Sequence, residues 1–203
     1  MKGFLNFSLI QCLILIGAVL QAEIIIDGKL DEDEWSEARQ ITTFYEVFPY
    51  TLNPVTDIKT VILIQESEDG IFFGFKNYQS NESMRSQSHQ RDNERSIADK
   101  NGVTIDFDAD KLSGYQFFVS SSGSIGDATY RNENERNYDW DADWLSAAST
   151  EDGVWYSEMF IPWTVAPMKA QSGAQRKVRM AFYRMLAGPQ RVIATIKGSS
   201  YEN

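Results

Sequence analysis

The 203-residue sequence has one cysteine and one histidine, and both scarcities restrict the chemistry it can perform. Cys12 lies in the apolar N-terminal stretch, so the rest of the chain cannot form a disulfide. His89 lies in a polar segment, whereas a metallohydrolase or a Ser-His-Asp enzyme needs histidine in a structured context. The sequence also lacks a glycine-rich phosphate loop and a CxxC pair. These absences argue against most catalytic classes.

Basic residues are in the minority. The 19 Lys and Arg residues stand against 29 Asp and Glu residues, which gives a net charge of −10. A charge of this sign opposes binding to nucleic acids and to anionic membrane surfaces. Neutral partners such as uncharged glycans meet no such penalty. The acidic excess is also compatible with calcium sites, although solubility is the simpler explanation.

The apolar run over residues 9–20 is shorter than the roughly 20 residues that span a bilayer. Lys2 precedes it and Gln21-Ala22 follow it, which is typical of a secretory signal peptide. We therefore predict a cleaved signal over residues 1–22, one domain over residues 23–203, and no membrane span in that domain. The implied location is periplasmic, outer-membrane-associated or extracellular.

Segments of β-rich composition alternate with turn signals along the rest of the chain, and long amphipathic helices are missing. Glycines mark hairpin turns at Gly70, Gly123 and Gly153. The clear helix start is Asp31, with Glu34 three residues later as its capping-box partner. The pattern predicts an all-β protein: a two-sheet antiparallel β-sandwich, jelly-roll-like, with one short N-terminal helix. Strands are expected near residues 23–26, 41–48, 57–66, 71–78, 102–108, 115–121, 125–130, 143–149, 154–161, 178–186 and 191–196.

Two of these strands are predicted to present polar groups and an aromatic ring on a shared outer face. Period-two alternation sends Thr104 and Asp106 to the side opposite Val103. On the next strand it sends Gln116 and Phe118 outward in the same way. Sugar sites combine hydrogen-bonding groups with a ring under the C–H face of the sugar. The alternative is a solvated sheet face with one partly covered ring.

Two long polar loops, over residues 79–101 and 131–141, interrupt the strand pattern. The first supplies Arg91 and Asp92, which we expect to reach the same site. The second holds Trp140, which is predicted either to form a sugar platform or to pack over the edge of the sandwich. Trp144 is expected to enter the core.

Two segments resemble the family 9 carbohydrate-binding modules: residues 26–35, IDGKLDEDEW, and residues 151–163, EDGVWYSEMFIPW. The closer resemblance is to the family-9-like domain at the front of many bacterial secreted and outer-membrane proteins. It covers about the whole chain after residue 22 and implies a sugar-binding β-sandwich. Family members often hold structural calcium, which makes Asp27, Asp31, Asp108 and Asp127 the candidate ligands. Glu158, in the second segment, is expected to make a buried structural hydrogen bond.

The chain differs from the sugar-binding members of the family at their best-known contacts. Thr104 stands where those members carry an acidic residue, and Phe118 stands where they carry an arginine. Their two stacking tryptophans have no counterpart in residues 95–98 or after Trp163.

We therefore expect an exported, non-catalytic module that binds a poly- or oligosaccharide and supports polysaccharide catabolism, alongside a glycoside hydrolase or a larger outer-membrane or secreted enzyme assembly. One alternative is a structural or docking domain of an outer-membrane protein without a sugar ligand. A less favoured one is a hydrolase of O-glycosyl bonds, which needs two carboxylates. Further domains often follow such a sandwich, so the chain is expected to be a free-standing module or a truncated part of a longer protein. The expected ligand-binding residues are Thr104, Asp106, Gln116, Phe118, Trp140, Arg91 and Asp92.

Overall fold

The computed structural model describes residues 24–93, 95–131, 135–170 and 176–195, so the expected signal peptide lies outside the described residues. Within these ranges, two short 3₁₀ helices occupy Asp33–Ser36 and Trp163–Val165. The strands are β1 (Arg39–Ile41), β2 (Tyr45–Phe48), β3 (Thr60–Glu66), β4 (Gly70–Tyr78), β5 (Lys100–Asp106), β6 (Ser113–Ser120), β7 (Ile125–Arg131), β8 (Glu135–Asn137), β9 (Leu145–Glu151), β10 (Val154–Pro162), β11 (Arg179–Leu186) and β12 (Arg191–Ala194).

The strands form two antiparallel sheets, which confirms the predicted β-sandwich. The five-stranded sheet has the order β1-β3-β4-β10-β9, and the seven-stranded sheet has the order β2-β12-β11-β5-β6-β7-β8. The chain passes from one sheet to the other between β1 and β2, β2 and β3, β4 and β5, β8 and β9, and β10 and β11. The edge strands β1, β2 and β8 contain only three or four residues each.

The main core lies between the sheets, where alternate side chains of facing strands interdigitate. Phe182 of β11 is buried and makes edge contacts with Phe73 and Phe75 of β4, at ring-centroid distances of 5.5 and 6.2 Å. Ile105 and Phe117 add inward-facing side chains from β5 and β6. Because side chains alternate along a strand, the neighbours of these residues face outward on the seven-stranded sheet.

A smaller apolar cluster covers the outer face of the five-stranded sheet. Trp35 is buried there together with Ile24, Val61 and Leu63, and Leu30 packs against them. The expected strand over residues 23–26 is wrong for the described residues 24–26, which run as irregular chain. Their side chains pack onto the sheet face, so this segment adds no strand to either sheet.

The expected N-terminal helix is reduced to the four-residue 3₁₀ turn at Asp33–Ser36, and the predicted capping by Asp31 is not found. The N-cap position is Glu32, whose side chain makes no capping hydrogen bond. Its carboxylate instead accepts hydrogen bonds from Trp35 Nε1 at 3.1 Å and from the backbone N–H of Ile25 at 3.0 Å. Glu32 therefore orients the buried indole.

A buried polar network holds the long loop after β4 against the sandwich. Asp99 is fully buried and accepts hydrogen bonds from Gln79 Nε2 at 2.8 Å, Arg85 N at 3.0 Å and Ala187 N at 2.6 Å. Arg184 is also fully buried and donates to Gln79 Oε1 at 2.6 Å. Burial lowers the pKa of Arg184 to about 10, so it remains protonated at neutral pH. Both ends of the loop are thus anchored where β5 begins.

Glu158 makes the expected structural hydrogen bonds. It is fully buried on β10 and accepts from the backbone N–H groups of Gly28 at 2.7 Å and Asp27 at 3.0 Å. Burial raises the pKa of Glu158 to about 7, although these two donors act in the opposite direction. The carboxyl group therefore joins the N-terminal segment to the five-stranded sheet.

We expect the stability of the wild type to fall as the pH rises from about 4.5 to about 7, because the folded state then retains a proton that the unfolded chain has released. Each pKa unit corresponds to about 1.4 kcal/mol. Glu158→Gln cannot titrate, so its melting temperature should depend less on pH over this interval. Thermal unfolding across the interval measures the difference. Glu66→Gln, at an exposed position, is the control. If the melting temperature changed equally with pH in the wild type and in Glu158→Gln, the raised pKa of Glu158 would be contradicted.

Candidate functional site on the seven-stranded sheet

A pocket of about 300 Å³ lies on the outer face of the seven-stranded sheet, and we call it the outer-face pocket. It is lined by side chains from strands β2, β5, β6, β7, β8, β11 and β12 and by Tyr138, which follows β8. Phe118 of β6 belongs to this lining, whereas its neighbour Phe117 belongs to the core. The pocket therefore faces away from the five-stranded sheet.

A cross-strand row of rings and glycines forms the floor of the pocket. The register places Tyr183 opposite Gly102, Gly102 opposite Phe118, and Phe118 opposite Gly126. A Cβ atom at Gly126 would overlap the ring of Phe118, and one at Gly102 would lie 2.8 Å from the phenolic oxygen of Tyr183. Each ring thus lies over a glycine of the neighbouring strand. The missing Cβ atoms therefore allow both rings to lie down on the sheet.

Polar groups stand in the next row. Thr104 is opposite Gln116, whose side-chain oxygen accepts a hydrogen bond from the hydroxyl of Tyr130 at 3.2 Å. Gln116 also hydrogen-bonds with Tyr183. Burial raises the pKa of Tyr183 well above its usual value, so its phenol stays neutral. These fixed amide and hydroxyl groups could position the hydroxyls of a ligand.

Two cationic side chains complete the lining. Lys100 is only 3% exposed, donates a hydrogen bond to the carbonyl oxygen of Asn93 at 2.9 Å, and places its ammonium 5.2 Å from the ring centroid of Phe118. Arg136 is exposed on β8, with its guanidinium carbon 5.1 Å from the ring centroid of Tyr130. No carboxylate lines the pocket within the described ranges.

Three of the seven residues expected to bind ligand line the pocket: Thr104, Gln116 and Phe118. Phe118 does lie on the outer face, but the expectation of an exposed ring is wrong, since the side chain is only 2% exposed. The reason is geometric. The ring lies flat on Gly126, and the ammonium of Lys100 covers it.

Asp106 and Trp140 lie away from the pocket. The buried carboxylate of Asp106 accepts hydrogen bonds from the backbone N–H groups of Asp108 at 3.2 Å and Lys111 at 2.9 Å, so it holds the turn between β5 and β6. Trp140 contacts Tyr115 and Phe117 at centroid distances of 5.2 and 5.9 Å. The indole packs on the core side of β6, so these contacts favour structural packing over a sugar platform.

Arg91 and Asp92 also lie elsewhere, beside the fully buried Asp127 of β7. Asp127 Oδ2 accepts hydrogen bonds from Arg91 Nη2 at 2.5 Å and from Trp144 Nε1 at 2.7 Å. Asp92 Oδ1 accepts from the backbone N–H of Asp127 at 2.7 Å. Trp144 is buried in the core cluster, as predicted. Arg91 and Asp92 thus fasten the loop to the edge of the sandwich.

The sequence patterns did not identify the residues that line the pocket from β7, β8 and β11. Tyr130 and Tyr183 follow the same alternation as small outward-facing residues on their strands, Ala128 and Ala181, and this was the available signal. Arg136 lies on a three-residue strand, too short for any alternation to be recognised.

The four expected calcium ligands are distributed over separate contacts. Asp27 caps its own turn at Lys29 N, Asp31 is exposed, and Asp108 pairs with Arg176 at 3.2 Å. Among the described residues, the acids whose oxygens lie within 4.8 Å of one another are Asp92, Asp127 and Asp141. This group includes only Asp127 of the expected set.

The Asp92–Asp127–Asp141 group does not fit a calcium ion as it stands, although three carboxylates are suitable donors. The guanidinium of Arg91 lies among them, with Nε 3.0 Å from Asp141 Oδ1 and 3.8 Å from Asp92 Oδ2. Arg91 therefore already supplies the positive charge. Burial raises the pKa of Asp92, and the negative charges of Asp127 and Asp141 act in the same direction.

No family model matches the sequence, and no curated protein sequence matches it. The fold, however, is similar to that of a family 9 carbohydrate-binding module from Caldicellulosiruptor kristjanssonii in complex with cellotriose. The TM-score is 0.57 at 11% identity, over 85% of this chain and 78% of the other. The chain shares that fold. At this level of identity, the likeness establishes the architecture alone.

Two further structures are similar. A family 9 module from the same organism in complex with glucose has a TM-score of 0.58 at 11% identity, over 85% of this chain and 81% of the other. A provisionally assigned carbohydrate-binding protein from Bacteroides uniformis ATCC 8492 has a TM-score of 0.61 at 12% identity, over 82% of both chains. These likenesses agree with the resemblance found in residues 26–35 and 151–163.

Gly126→Ala should destabilise the protein by about 1–3 kcal/mol, because the new methyl group displaces the ring of Phe118. The cost should shrink in a Phe118→Ala background, where the ring is absent. Urea unfolding of the two single variants and the double variant measures this coupling. An equal cost in both backgrounds would show that the ring does not rest on Gly126.

In the presence of EDTA, Arg91→Gln should lower the free energy of unfolding by about 1–3 kcal/mol, because the substitution leaves Asp127 buried beside two other acids without its cation. Calcium should restore part of this loss by replacing the missing cation, and it should leave the wild type unchanged. Melting temperatures with EDTA and with calcium test both statements. Arg176→Gln, which removes an ion pair to Asp108, is the control. A wild type that calcium stabilises would refute the role given to Arg91.

Proposed function

We propose that this chain is a non-catalytic carbohydrate-binding module and that the outer-face pocket is its sugar site. The observation that carries the proposal is the combination of side chains in the lining. The hydrogen-bonding groups of Thr104 and Gln116 lie together with the partly exposed rings of Tyr138 and Tyr183. Phe118 and Tyr130 also line the pocket, but their side chains are buried. A sugar ring needs this combination, because its hydroxyls require polar partners while its C–H face packs on an aromatic.

The size and rigidity of the pocket also support the proposal. A volume of about 300 Å³ lies at the lower end of the range for small-molecule sites, which suits one or two sugar rings. Most of the lining stands on paired strands, and Gln116 and Tyr130 are fixed by their mutual hydrogen bond. A site whose groups are already positioned loses little entropy when the ligand binds.

The comparisons support a sugar ligand as well. Two of the similar structures are complexes with cellotriose and glucose, and their fold is the one found here. The lining favours binding over hydrolysis, because glycosidases generally use two carboxylates and none lines the pocket within the described ranges.

The wider role that we propose is the capture of a glycan for polysaccharide catabolism, next to a glycoside hydrolase or within a larger enzyme assembly. Residues 1–22 are the proposed export signal. No helix in the part of the chain that the structure describes is long and apolar enough to cross a membrane. If the protein bound no glycan, that result would favour a docking role without a sugar ligand.

Glycan-array screening should find a saccharide ligand, and calorimetry with that ligand should then measure how much an aromatic side chain of the pocket contributes to the affinity. Tyr138→Ala should weaken binding by about tenfold, as expected when an aromatic contact worth about 1 kcal/mol or more is lost. Tyr78→Ala removes an exposed tyrosine from the five-stranded sheet and should leave the affinity unchanged. An array without any hit would reject the function, and equal effects of the two variants would reject the site.

A further inference from the structure

We infer that the space between the two sheets holds a binding site for internal water, which joins Asn77 of β4 and Trp155 of β10 to Arg184 of β11. These three side chains are fully buried, and within the described ranges each has at least one polar atom without a hydrogen-bond partner. The site lies inside the sandwich, whereas the outer-face pocket lies on the other side of the seven-stranded sheet. The inference goes beyond the proposed function and does not depend on it.

Asn77 and Trp155 are neighbours on the inner face of the five-stranded sheet. The register places Asn77 opposite Trp155 on one side and opposite Thr60 on the other. Phe75, two residues before Asn77, and Met159, four residues after Trp155, both belong to the main core. Because alternate residues of a strand share a face, Asn77 and Trp155 also point between the sheets.

The guanidinium of Arg184 reaches the same place from the seven-stranded sheet. Its Nη1 donates a hydrogen bond to Thr60 Oγ1 at 2.8 Å, and its Nη2 donates to the carbonyl oxygen of Tyr78 at 3.4 Å. Thr60 is the cross-strand partner of Asn77, and Tyr78 is the residue that follows Asn77. The contacts of Arg184 therefore surround the position of Asn77.

The unpartnered atoms at this place are both donors and acceptors of hydrogen bonds. Within the described ranges they are Oδ1 and Nδ2 of Asn77, Nε1 of Trp155 and Nε of Arg184. A buried polar atom without a partner is costly, and such atoms in folded proteins are nearly always bonded to protein or to ordered water. Because all three side chains are 0% exposed, bulk solvent does not reach them. An internal water molecule is the partner that satisfies them.

Water fits this set of atoms better than an ion does. A chloride ion accepts hydrogen bonds but has none to donate to Asn77 Oδ1, and the charge of Arg184 repels a metal cation. The buried Asp99 already supplies a negative charge near Arg184, since Gln79 donates to Asp99 at 2.8 Å and accepts from Arg184 at 2.6 Å. A water molecule is neutral and makes two to four hydrogen bonds, as donor and as acceptor.

A neighbouring pair of side chains joins the two sheets directly. Asn101 of β5, which the register places opposite Arg184, exchanges hydrogen bonds with Ser157 of β10 at 2.9 and 3.0 Å. Both side chains are fully buried, and their mutual contact satisfies them. Asn77 is equally buried and has no such partner among the described residues. Water therefore makes at Asn77 the link between the sheets that Asn101 makes by direct contact.

High-resolution crystallography of the wild type tests the site directly. At least one ordered water should lie within about 3.2 Å of the Asn77 amide and of Trp155 Nε1 or Arg184 Nε. Oxygen-17 relaxation dispersion should count the same water as a long-lived internal molecule in solution. A direct hydrogen bond between Asn77 and Trp155 with no water beside it would overturn the inference. Crystals grown in bromide would reveal an anion at the site by anomalous scattering, and that result would also overturn it.

Two variants assign the water to its side chains. Asn77→Leu removes two of the unpartnered atoms, so the count of long-lived internal waters should fall by at least one, and an unchanged count would place the water elsewhere. Asn53→Leu makes the same change at an exposed position and should leave the count as it is. Trp155→Phe keeps a buried ring without Nε1, so the water should exchange faster. Exchange at the wild-type rate would remove Trp155 from the site. The wild-type measurements stand even if a variant does not fold.

Discussion

The shape of the outer-face pocket depends on one steric constraint, the placement of an aromatic ring over a glycine of the neighbouring strand. The ring of Phe118 lies over Gly126 and that of Tyr183 over Gly102, so both rings lie down on the sheet. The residue next to Phe118 is Phe117, which fills the core. Because side chains alternate with a period of two, a register shift of one residue in β6 would exchange the pocket ring with the core ring. The binding face and the core therefore depend on the same register.

Buried ionisable groups perform the tethering that disulfides perform in many other domains. Glu158 holds the backbone at Gly28, Asp99 holds both ends of the long loop, and Asp127 holds Arg91. A buried polar or charged group is costly unless it is paired or hydrogen-bonded, so each of these groups is stable only while its segment stays docked. The loops are consequently fixed to the sandwich at a few defined points, and the first of them brings Asn93 to the ammonium of Lys100.

The fold could be predicted because its signals are local: alternation and turn glycines identify most strands without knowledge of their partners. The expected strand over residues 41–48 is instead two short strands in different sheets, since nothing in its composition marks the crossing between them. The site was only partly predictable for the same reason. Alternation placed Thr104, Gln116 and Phe118 on one face, but which strands flank them is a matter of register. Alternation could therefore give Tyr130 a face but not a place beside these residues, and it could give Arg136 neither.

The short strands at the sheet edges have a consequence for behaviour at high concentration. An unpaired edge is a template on which another chain can add a strand, and long flat edges therefore promote aggregation. Here β1, β2 and β8 each offer no more than four residues of unpaired backbone. The edge strand β9 is longer, with seven residues. Three of the edges among the described strands thus resist edge-to-edge self-association through their short length, and β9 is the edge most open to it.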